Sequence, residues 1–415
     1  MSRIVYTNAN LLDGEHPAKP ESTVVVEGNR IASVETGVPA ALRPDDRIVD
    51  LGGRTLMPGM ITCHFHSTYH ELGAVPGPFG LEHAPAYQAI QAARNLELAV
   101  RCGFTSAVSA GATNDIDASM KRAIEDGLVA GPRFIPGSRD VSTTGHCNDY
   151  LPWHWDMHAL GPIRRADGPD EFRKAVREEI KRGAEIIKLF VTGGHGVTAP
   201  KERIEMTRDE LAAAVEAAHQ RGALIRGHIV NKPAILMAAE LGIDIIDHCD
   251  EMDAECYDKI LAADTTVVPS VFFPKVFMET IGAGLGFSEA MRADLERSYA
   301  AIPEANAAGV RLVVGDDYGA MGFPHGQYAA ELELYVRDVG IPALEVLRWA
   351  TKNGAELMHM GDQLGTVTTG KLADLLVVDG DPLADIGVLQ DTDKLLQIMK
   401  DGTLVKDALV ETNRG

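Results

Sequence analysis

Six side chains of types that can bind metal ions stand at or near the carboxyl ends of short apolar runs. They are His64, His66, Lys188, His228, His248 and Asp316. The runs read as buried β-strands, and in a parallel barrel the carboxyl ends of the strands converge at one mouth. The pattern therefore predicts that ligands far apart in sequence meet at one site, where they would support metal-dependent hydrolysis.

The segment His64-Phe65-His66 is the strongest local signal. Residues i and i+2 of a strand face the same side, so both imidazoles can bind one metal ion while Cys63 and Phe65 point away. The alternative is that two histidines alternate by chance. The position directly after the run MPGMIT favours the ligand interpretation.

Lys188 lies inside the apolar run IIKLFV. Burying an unpaired ammonium is very costly, so one interpretation is a salt bridge to Glu185 or to another carboxylate. The other is a lowered pKa and reaction with carbon dioxide to give a carbamate. Because a carbamate is anionic and has two oxygens, a carboxylated Lys188 could bridge two cations.

His228 and His248 end consecutive strand units, which favours a second metal ion over two unrelated core histidines. Imidazole nitrogens with acidic oxygens suit Zn²⁺, so we expect two divalent metal ions per chain, most simply zinc. Asp316 follows the run RLVVG and precedes Asp317. Asp316 is predicted to bind a metal ion and to act as general base and then general acid; the alternative is two solvated loop acids.

Loops at the predicted mouth carry candidates for contact with a small-molecule substrate. These candidates are His146, His195, Trp153, Trp155 and Tyr69. The two tryptophans could form the wall of an apolar substrate pocket, although tryptophans in a long loop also serve to pack it.

The distribution of strand and helix patterns predicts an α/β fold. Residues 58–360 alternate apolar strands with amphipathic helices, and eight strand candidates predict a (β/α)8 TIM-type barrel. Residues 1–57 and 361–415 read as short strands separated by turns. Since each end supplies too few strands for a core of its own, we predict one small β-sandwich domain formed from both chain ends.

Composition narrows the classes of partner. The 415 residues carry a formal net charge of −21, which argues against nucleic acid or an anionic membrane surface as the main partner. No run of 18 apolar residues and no signal-peptide pattern is present, and five dispersed cysteines suggest a reduced chain. We expect a cytoplasmic homo-oligomer that acts on a small molecule.

The motifs together resemble the amidohydrolase superfamily. The similarity rests on MPGMIT before the two histidines, on IIKLFVTGG around Lys188, and on the tail GTVTTGKLADLLVVDGDP. It is closest in kind to the binuclear branch that holds Xaa-Pro and Xaa-Arg dipeptidases, ochratoxin amidase, molinate hydrolase and phenylurea hydrolase. The resemblance implies one metal ion on His64, His66 and Asp316, a second on His228 and His248, and carboxylated Lys188 as the bridge.

By the same resemblance, the reaction is hydrolysis of a C–N bond in an amide, peptide, carbamate or urea. A hydroxide between the two metal ions would attack the carbonyl carbon, and Asp316 would carry the proton to nitrogen. His146 would donate to the carbonyl oxygen. One departure is Val230, which stands where dipeptidase relatives often carry a tyrosine, and it leaves room for other amides, carbamates or ureas.

Three other functions would use parts of the same residue pattern. A mononuclear deaminase of the same superfamily would place a glutamate where Asn231 stands and would not use Lys188. A non-catalytic metal-binding barrel would more often have lost one of the six ligands. Phosphotriester hydrolysis is a possible side activity of the same binuclear site.

Overall fold

The computed structural model describes residues 3–37, 42–71, 80–146, 149, 154, 161–195, 197, 199–280, 288–320 and 322–409. The predicted substrate contacts Trp153 and Trp155 lie outside these residues. Among the described residues, no helix is long and apolar enough to cross a membrane.

Eighteen strands are assigned within the described residues. They are β1 Arg3–Leu11, β2 Lys19–Glu27, β3 Arg30–Thr36, β4 Arg47–Asp50, β5 Thr55–Pro58, β6 Met60–Phe65, β7 Phe104–Ser109, β8 Arg133–Ile135, β9 Gly137–Ser142, β10 Ile163–Arg165, β11 Ile186–Phe190, β12 Leu224–Ile229, β13 Ile245–His248, β14 Thr266–Val268, β15 Arg311–Leu312, β16 Leu375–Val378, β17 Leu395–Lys400 and β18 Thr403–Asp407.

Eleven α-helices accompany them in the same part of the chain. They are α1 Pro85–Arg101, α2 Ile116–Glu125, α3 Pro169–Lys181, α4 Arg208–His219, α5 Lys232–Glu240, α6 Ala254–Ala262, α7 Phe272–Glu279, α8 Ser288–Ala308, α9 Tyr328–Arg337, α10 Ala343–Arg348 and α11 Gly354–Leu357. A π-helical turn, Trp349–Asn353, joins the last two, and short 3₁₀ turns span Ile386–Gln390 and Thr392–Lys394.

Contacts divide the chain into two compact units. The first consists of Met1–Thr62, Glu97–Ser106 and Gly326–Gly415, and the second of Cys63–Leu96 and Ala107–His325. The domain boundaries predicted after residue 57 and before residue 361 both fall inside the first unit. The predicted division into domains 1–57 plus 361–415 and 58–360 therefore stays a prediction.

The first unit contains a sheet built from both ends of the chain. Its order is β18-β17-β16-β5-β1-β2-β3, with β4 paired to β1. β16 runs antiparallel to β5, and the Tyr6 hydroxyl donates to the Gln397 side chain over 2.9 Å. Buried Val24, Leu56 and Val377 share one apolar cluster on this sheet. Neither chain end therefore forms this core alone.

The second unit is rich in parallel β/α repeats. Seven strands pair in the order β10-β9-β11-β12-β13-β14-β15, and a separate ladder has the order β6-β7-β8. Single backbone bonds continue the pairing, from Cys63 N to the Val314 carbonyl (2.7 Å) and from Ala112 N to the Ser138 carbonyl (2.9 Å). Strand pairing among the described residues gives two open ladders, so the closed eight-stranded barrel stays a prediction.

Local sequence explains where the helices that follow the site strands begin. Thr207 and Glu210 form a capping box at the start of α4, which satisfies backbone donors at both positions. The Asn231 side chain accepts from the Ala234 amide at the start of α5, and Asp253 caps α6 in the same way. The caps of α5 and α6 end the connections from β12 and β13 after two and five residues, whereas 17 residues separate β11 from α4.

Candidate metal centre

Three neighbouring parallel strands of the second unit carry predicted ligands in matched register. Phe190 of β11 pairs with His228 of β12, and Ile229 pairs with His248 of β13. Lys188 lies two residues before Phe190, on the same face of β11. The register therefore places Lys188 and His228 on one face of the sheet. His248 pairs with Ile229, at the alternate position, and its left-handed backbone (φ 72°) turns the chain at the end of β13.

The predicted His64-x-His66 pair converges with a carboxylate. His64 Nε2 and His66 Nε2 lie 3.2 Å apart, and Asp317 Oδ1 is 3.0 and 3.1 Å from them. Ligands bound tetrahedrally to zinc at about 2.0–2.1 Å are separated by roughly 3.3–3.5 Å. All three residues belong to a set whose ligand atoms lie within 4.8 Å of one another. This donor set fits a metal ion after a small outward movement.

Hydrogen bonds orient both histidines for coordination through Nε2. His66 Nδ1 lies 2.9 Å from the Gly111 carbonyl, which can only accept, so the proton is assigned to Nδ1. His64 Nδ1 lies 3.3 Å from Asp247 Oδ1. Burial lowers the pKa of His66 to about 4, which keeps its ring neutral near pH 7. Nε2 of each ring lies beside Asp317 Oδ1.

A second set of potential ligand atoms lies beside the first. It comprises His195, His248 and Asp317. The rings of His195 and His248 stack at 3.8 Å, and the rings of His228 and His248 are 4.4 Å apart. His248 Nδ1 is buried without a hydrogen-bond partner in the described part of the chain. His228 Nε2, 3.1 Å from the Gly194 carbonyl, is assigned the proton, which leaves Nδ1 free to coordinate.

The carboxylate at the His64–His66 pair is Asp317, whereas the sequence analysis assigned that place to Asp316. Asp316 Oδ2 accepts the amides of Phe272 and Phe273 at 2.8 and 3.1 Å, and Oδ1 accepts the amide of Asp317 at 2.8 Å. Asp316 thus anchors the first turn of α7. On this geometry the ligand prediction is corrected from Asp316 to Asp317.

The two adjacent carboxyl groups differ in their pKa values. Burial and the neighbouring Asp317 charge raise the pKa of Asp316 to about 6. Burial also opposes ionisation of Asp317, but its interactions with His64 and His66 outweigh burial and hold its pKa well below the usual range. Asp317 is therefore the ionised member of the pair at neutral pH, as a metal ligand must be.

Lys188 is paired with a buried carboxylate, as the salt-bridge interpretation of the sequence allowed, and the partner is Asp247. Its Nζ lies 2.6 Å from Asp247 Oδ2, while Glu185, the partner considered from sequence, pairs with Lys121. Asp247 also forms a buried ion pair with Arg226. Arg226 and Asp247 are, like Lys188, charged residues inside apolar strand sequences. The same sequence pattern could therefore have predicted that they are important.

Two predicted substrate contacts are placed at the site. The Tyr69 ring stacks on His66, with centroids 3.9 Å apart and an interplanar angle of 3°. His146 is 2% exposed, and neither ring nitrogen has a hydrogen-bond partner within the described residues. Burial lowers the pKa of His146, and Glu205 lies 3.7 Å away. His146 is therefore a buried imidazole whose nearest charged group within the described residues is Glu205.

His195 is held more tightly than a free substrate contact would be. Its Nδ1 lies 3.1 Å from both oxygens of Asp250, and its Nε2 lies 2.8 Å from the Ser270 carbonyl. Burial opposes protonation of His195, but the Asp250 charge outweighs burial and raises its pKa to about 9. Within this geometry both ring nitrogens donate, so His195 is a fixed cation beside His248.

Backbone conformation around the site is unusual for residues with side chains. His195, His248, Cys249 and Ser270 have φ values of 47°, 72°, 59° and 52°. This left-handed region is sparsely populated by non-glycine residues and often occurs at functional sites. The conformation turns the chain sharply where these side chains enter the site.

Position 315 requires glycine because the backbone of the strand that carries His64 lies too close for a side chain. Gly315 has φ 141°, and a Cβ there would lie 2.2 Å from the His64 amide nitrogen. Any side chain at position 315 would therefore push apart the strand end that carries Asp317 and the strand that carries His64.

The chain belongs to the amidohydrolase family, whose model matches residues 55–405. This finding confirms the resemblance drawn from the sequence motifs. Ochratoxinase from Aspergillus niger is 27% identical over 374 residues, which cover 85% of this chain and 75% of that protein.

Solved structures extend the likeness to almost the whole chain. A prolidase in complex with N-methylphosphonate-L-proline has a TM-score of 0.87 at 31% identity, and covers 98% of this chain and 100% of its own. A Xaa-Pro dipeptidase with methionine in its active site has a TM-score of 0.86 at 28% identity, with the same coverage. The chain therefore has the α/β fold of amidohydrolases, and its relatives include hydrolases of amide and peptide bonds.

Proposed function

We propose that this protein is a metal-dependent hydrolase that cleaves a C–N bond in an amide, peptide, carbamate or urea. The observation that carries the proposal is the meeting of two imidazole nitrogens and the Asp317 carboxylate at about 3 Å within an amidohydrolase chain. Imidazole and carboxylate together suit zinc.

The residues proposed to hold two metal ions form a continuous group. His64, His66 and Asp317 would bind one ion, His228 and His248 the second, and carboxylated Lys188 would bridge them. His195 lies within ligand distance of His248 and Asp317, but both its ring nitrogens donate to oxygens, so it would stay outside the coordination sphere. Bound metal ions would polarise the scissile carbonyl and lower the pKa of water to about 7.

The chain's own groups supply orientation and proton transfer. Asp317, ionised and on the open side of the His64–His66 pair, would accept a proton from the attacking water and pass it to the leaving nitrogen. His146, buried and without a partner within the described residues, would donate to the substrate carbonyl oxygen. Tyr69, stacked on His66, would keep that ring from rotating.

The relatives suggest which bonds to test. Ochratoxinase, Xaa-Pro dipeptidase and prolidase are names of enzymes that act on an amide or peptide bond. Val230, where some dipeptidases carry a tyrosine, is fully buried and lies against Gly194. It offers no hydroxyl to a substrate, so we propose amides beyond simple dipeptides, with carbamates and ureas included. We further propose that the protein works as a homo-oligomer in the cytoplasm.

Deamination is the less favoured alternative. The position at which a deaminase would carry its glutamate is occupied by Asn231, whose side chain accepts from the Ala234 amide and donates to the Lys201 carbonyl. Both functional atoms of Asn231 are thus used in hydrogen bonds within the chain, Oδ1 at the start of α5 and Nδ2 with the segment before α4. The observation supports amide hydrolysis over ring deamination.

Metal content and a substrate panel test the proposal. Protein produced with zinc and bicarbonate is analysed by elemental mass spectrometry, then assayed against dipeptides, N-acyl amino acids, carbamates, ureas and a purine. We expect close to two metal ions per chain and metal-dependent hydrolysis of at least one amide, carbamate or urea. One ion per chain together with ring deamination would overturn it.

A further inference from the structure

A buried ion pair lies beneath the candidate metal ligands. Arg226 of β12 and Asp247 of β13 are both 0% exposed. Arg226 Nε lies 3.1 Å from Asp247 Oδ2, and Arg226 Nη2 contacts Asp247 Oδ1. Arg226 is two residues before His228 on one face of its strand, and Asp247 directly precedes His248. The pair is thus part of the same strands as the ligands.

The guanidinium is fixed by the backbone as well as by the carboxylate. Arg226 Nη1 donates to the Cys63 and Ser109 carbonyls, each at 2.8 Å. These carbonyls belong to the strands β6 and β7, so Arg226 joins three strands at one level. A guanidinium with this many partners cannot rotate without losing several buried hydrogen bonds.

The two oxygens of Asp247 face two different ligands. Oδ2 accepts from Lys188 Nζ at 2.6 Å, and Oδ1 lies 3.3 Å from His64 Nδ1. His64 Nδ1 also lies 3.4 Å from Arg226 Nη2 and 3.3 Å from Ser270 Oγ, so Asp247 and Arg226 both contact this ring nitrogen. A carboxylate opposite Nδ1 favours a proton there, which leaves Nε2 to coordinate. When an N–H of Lys188 Nζ donates to Asp247 Oδ2, a carboxyl group attached to the same nitrogen would point away from Asp247.

Stability alone does not explain such a pair. Removing two charges from water is expensive, and replacing a buried ion pair by apolar side chains of similar volume is often neutral or stabilising. A role in orienting metal ligands accounts for the pair, because carboxylates behind ligating histidines raise metal affinity.

We propose that the Arg226–Asp247 pair positions the metal ligands His64 and Lys188, with Arg226 holding Asp247 and Asp247 orienting the two ligand side chains. This inference rests on the proposed function. It assigns a role to Arg226 and Asp247 that is distinct from direct coordination.

The test replaces both charges together. In Arg226→Met/Asp247→Leu neither member of the pair is left as an unpaired buried charge, while Lys188 loses the carboxylate whose orienting role is tested. The matched control is Arg139→Met/Glu179→Leu, which removes another buried ion pair of the second unit, with side chains 5% and 2% exposed. Each protein is examined by thermal unfolding, by zinc affinity in chelator competition, and by the visible spectrum of the cobalt-substituted form.

We expect the site double variant to lose about 10- to 100-fold in zinc affinity and to show an altered cobalt spectrum. The control variant should keep the zinc affinity and the cobalt spectrum of the wild type, whatever its unfolding temperature. Wild-type zinc affinity and an unchanged spectrum in the site variant would overturn the positioning role alone. A wild-type protein that binds no zinc would instead overturn the proposed function.

Asp247→Asn covers the case in which the double variant does not fold. The amide is nearly isosteric with the carboxylate but offers one acceptor oxygen, so it can serve His64 or Lys188 and not both. We expect a weaker zinc affinity than that of the wild type, with Asp247→Glu restoring part of it. Unchanged affinity in a folded Asp247→Asn protein also contradicts the proposal.

Discussion

At the scale of single residues, the adjacent carboxylates Asp316 and Asp317 have opposite environments. Asp317 Oδ1 faces two imidazole nitrogens, and Asp316 is satisfied by three backbone amides. Similar side chains one position apart therefore have different surroundings: Asp316 holds the start of α7, and Asp317 is the one that we propose as a metal ligand.

Exchanging each carboxylate for an amide separates these tasks. Asp317→Asn should bind less metal and lose hydrolytic activity by at least about 100-fold, because an anionic ligand and the proton acceptor are both removed. Asp316→Asn should retain metal but lose about 1–3 kcal/mol of stability, since a buried amide would lose its acceptor. Elemental analysis and urea unfolding measure the two effects. Metal loss in Asp316→Asn with full retention in Asp317→Asn would reverse the assignment.

Lys188 allows a test of the carbamate bridge. Lys188→Ala should abolish activity and reduce bound metal, because the proposed carbamate between two metal ions could not form. Short-chain carboxylates added to the buffer should restore part of the activity by taking the place of the carbamate. The measurement is the hydrolysis rate with and without added acetate or propionate. Full activity in the untreated variant would exclude the bridging role.

At the scale of elements, a buried carboxylate on α2 joins the loop after β6 to the start of β9. The Ser67 hydroxyl and the Gly137 amide both donate to Asp117, which is 0% exposed. Ser67 follows His66 directly, so this contact ties α2 to the strand that carries two ligands. Burial outweighs these hydrogen bonds and raises the pKa of Asp117 to about 6.

The raised pKa predicts how stability depends on pH. In the folded protein Asp117 keeps its proton up to about pH 6, whereas in the unfolded chain it loses it near 3.8. Protonated Asp117 therefore contributes its full stabilisation below pH 3.8. As pH rises from there through 6, the free energy of unfolding falls by about 3 kcal/mol because the folded protein must release this proton or keep it at increasing cost. The difference in unfolding free energy between wild type and Asp117→Asn, measured from pH 4 to 7, should show this slope. A pH-independent difference would contradict it.

At the scale of the whole molecule, the sheet of the first unit needs both ends of the chain. Strand β16 pairs along the full length of β5, and β17 and β18 follow it. Apolar residues of these late strands, including Leu375, Val377 and Met399, are buried in the same cluster as residues of β1 and β2. The N-terminal strands therefore have no complete core of their own.

Truncation tests this dependence. A chain ending at residue 360 should be insoluble or lack cooperative thermal unfolding, because each lost apolar side chain contributes about 1.5–3 kcal/mol against a total stability of about 5–15 kcal/mol. A chain ending at residue 409 is the matched control and should unfold like the full-length protein. A soluble 1–360 fragment with an unchanged unfolding temperature would show that the late strands are dispensable.

The sequence by itself determined the family and the kind of site. Metal-binding residue types at the ends of apolar runs, and a charged lysine inside one, are local features that do not depend on long-range packing. The strand pattern at both chain ends also showed that neither could form a core alone. These conclusions follow from side-chain period and from the cost of burying charge.

Only the tertiary structure decided which of two neighbouring carboxylates meets the histidines and what lies opposite Lys188. Asp316 and Asp317 are equivalent in sequence, and the turn at Gly315 together with the amides of α7 separates them. The partner of Lys188 comes from a strand 59 residues further along the chain. Such choices depend on strand register and backbone direction, which local sequence does not specify.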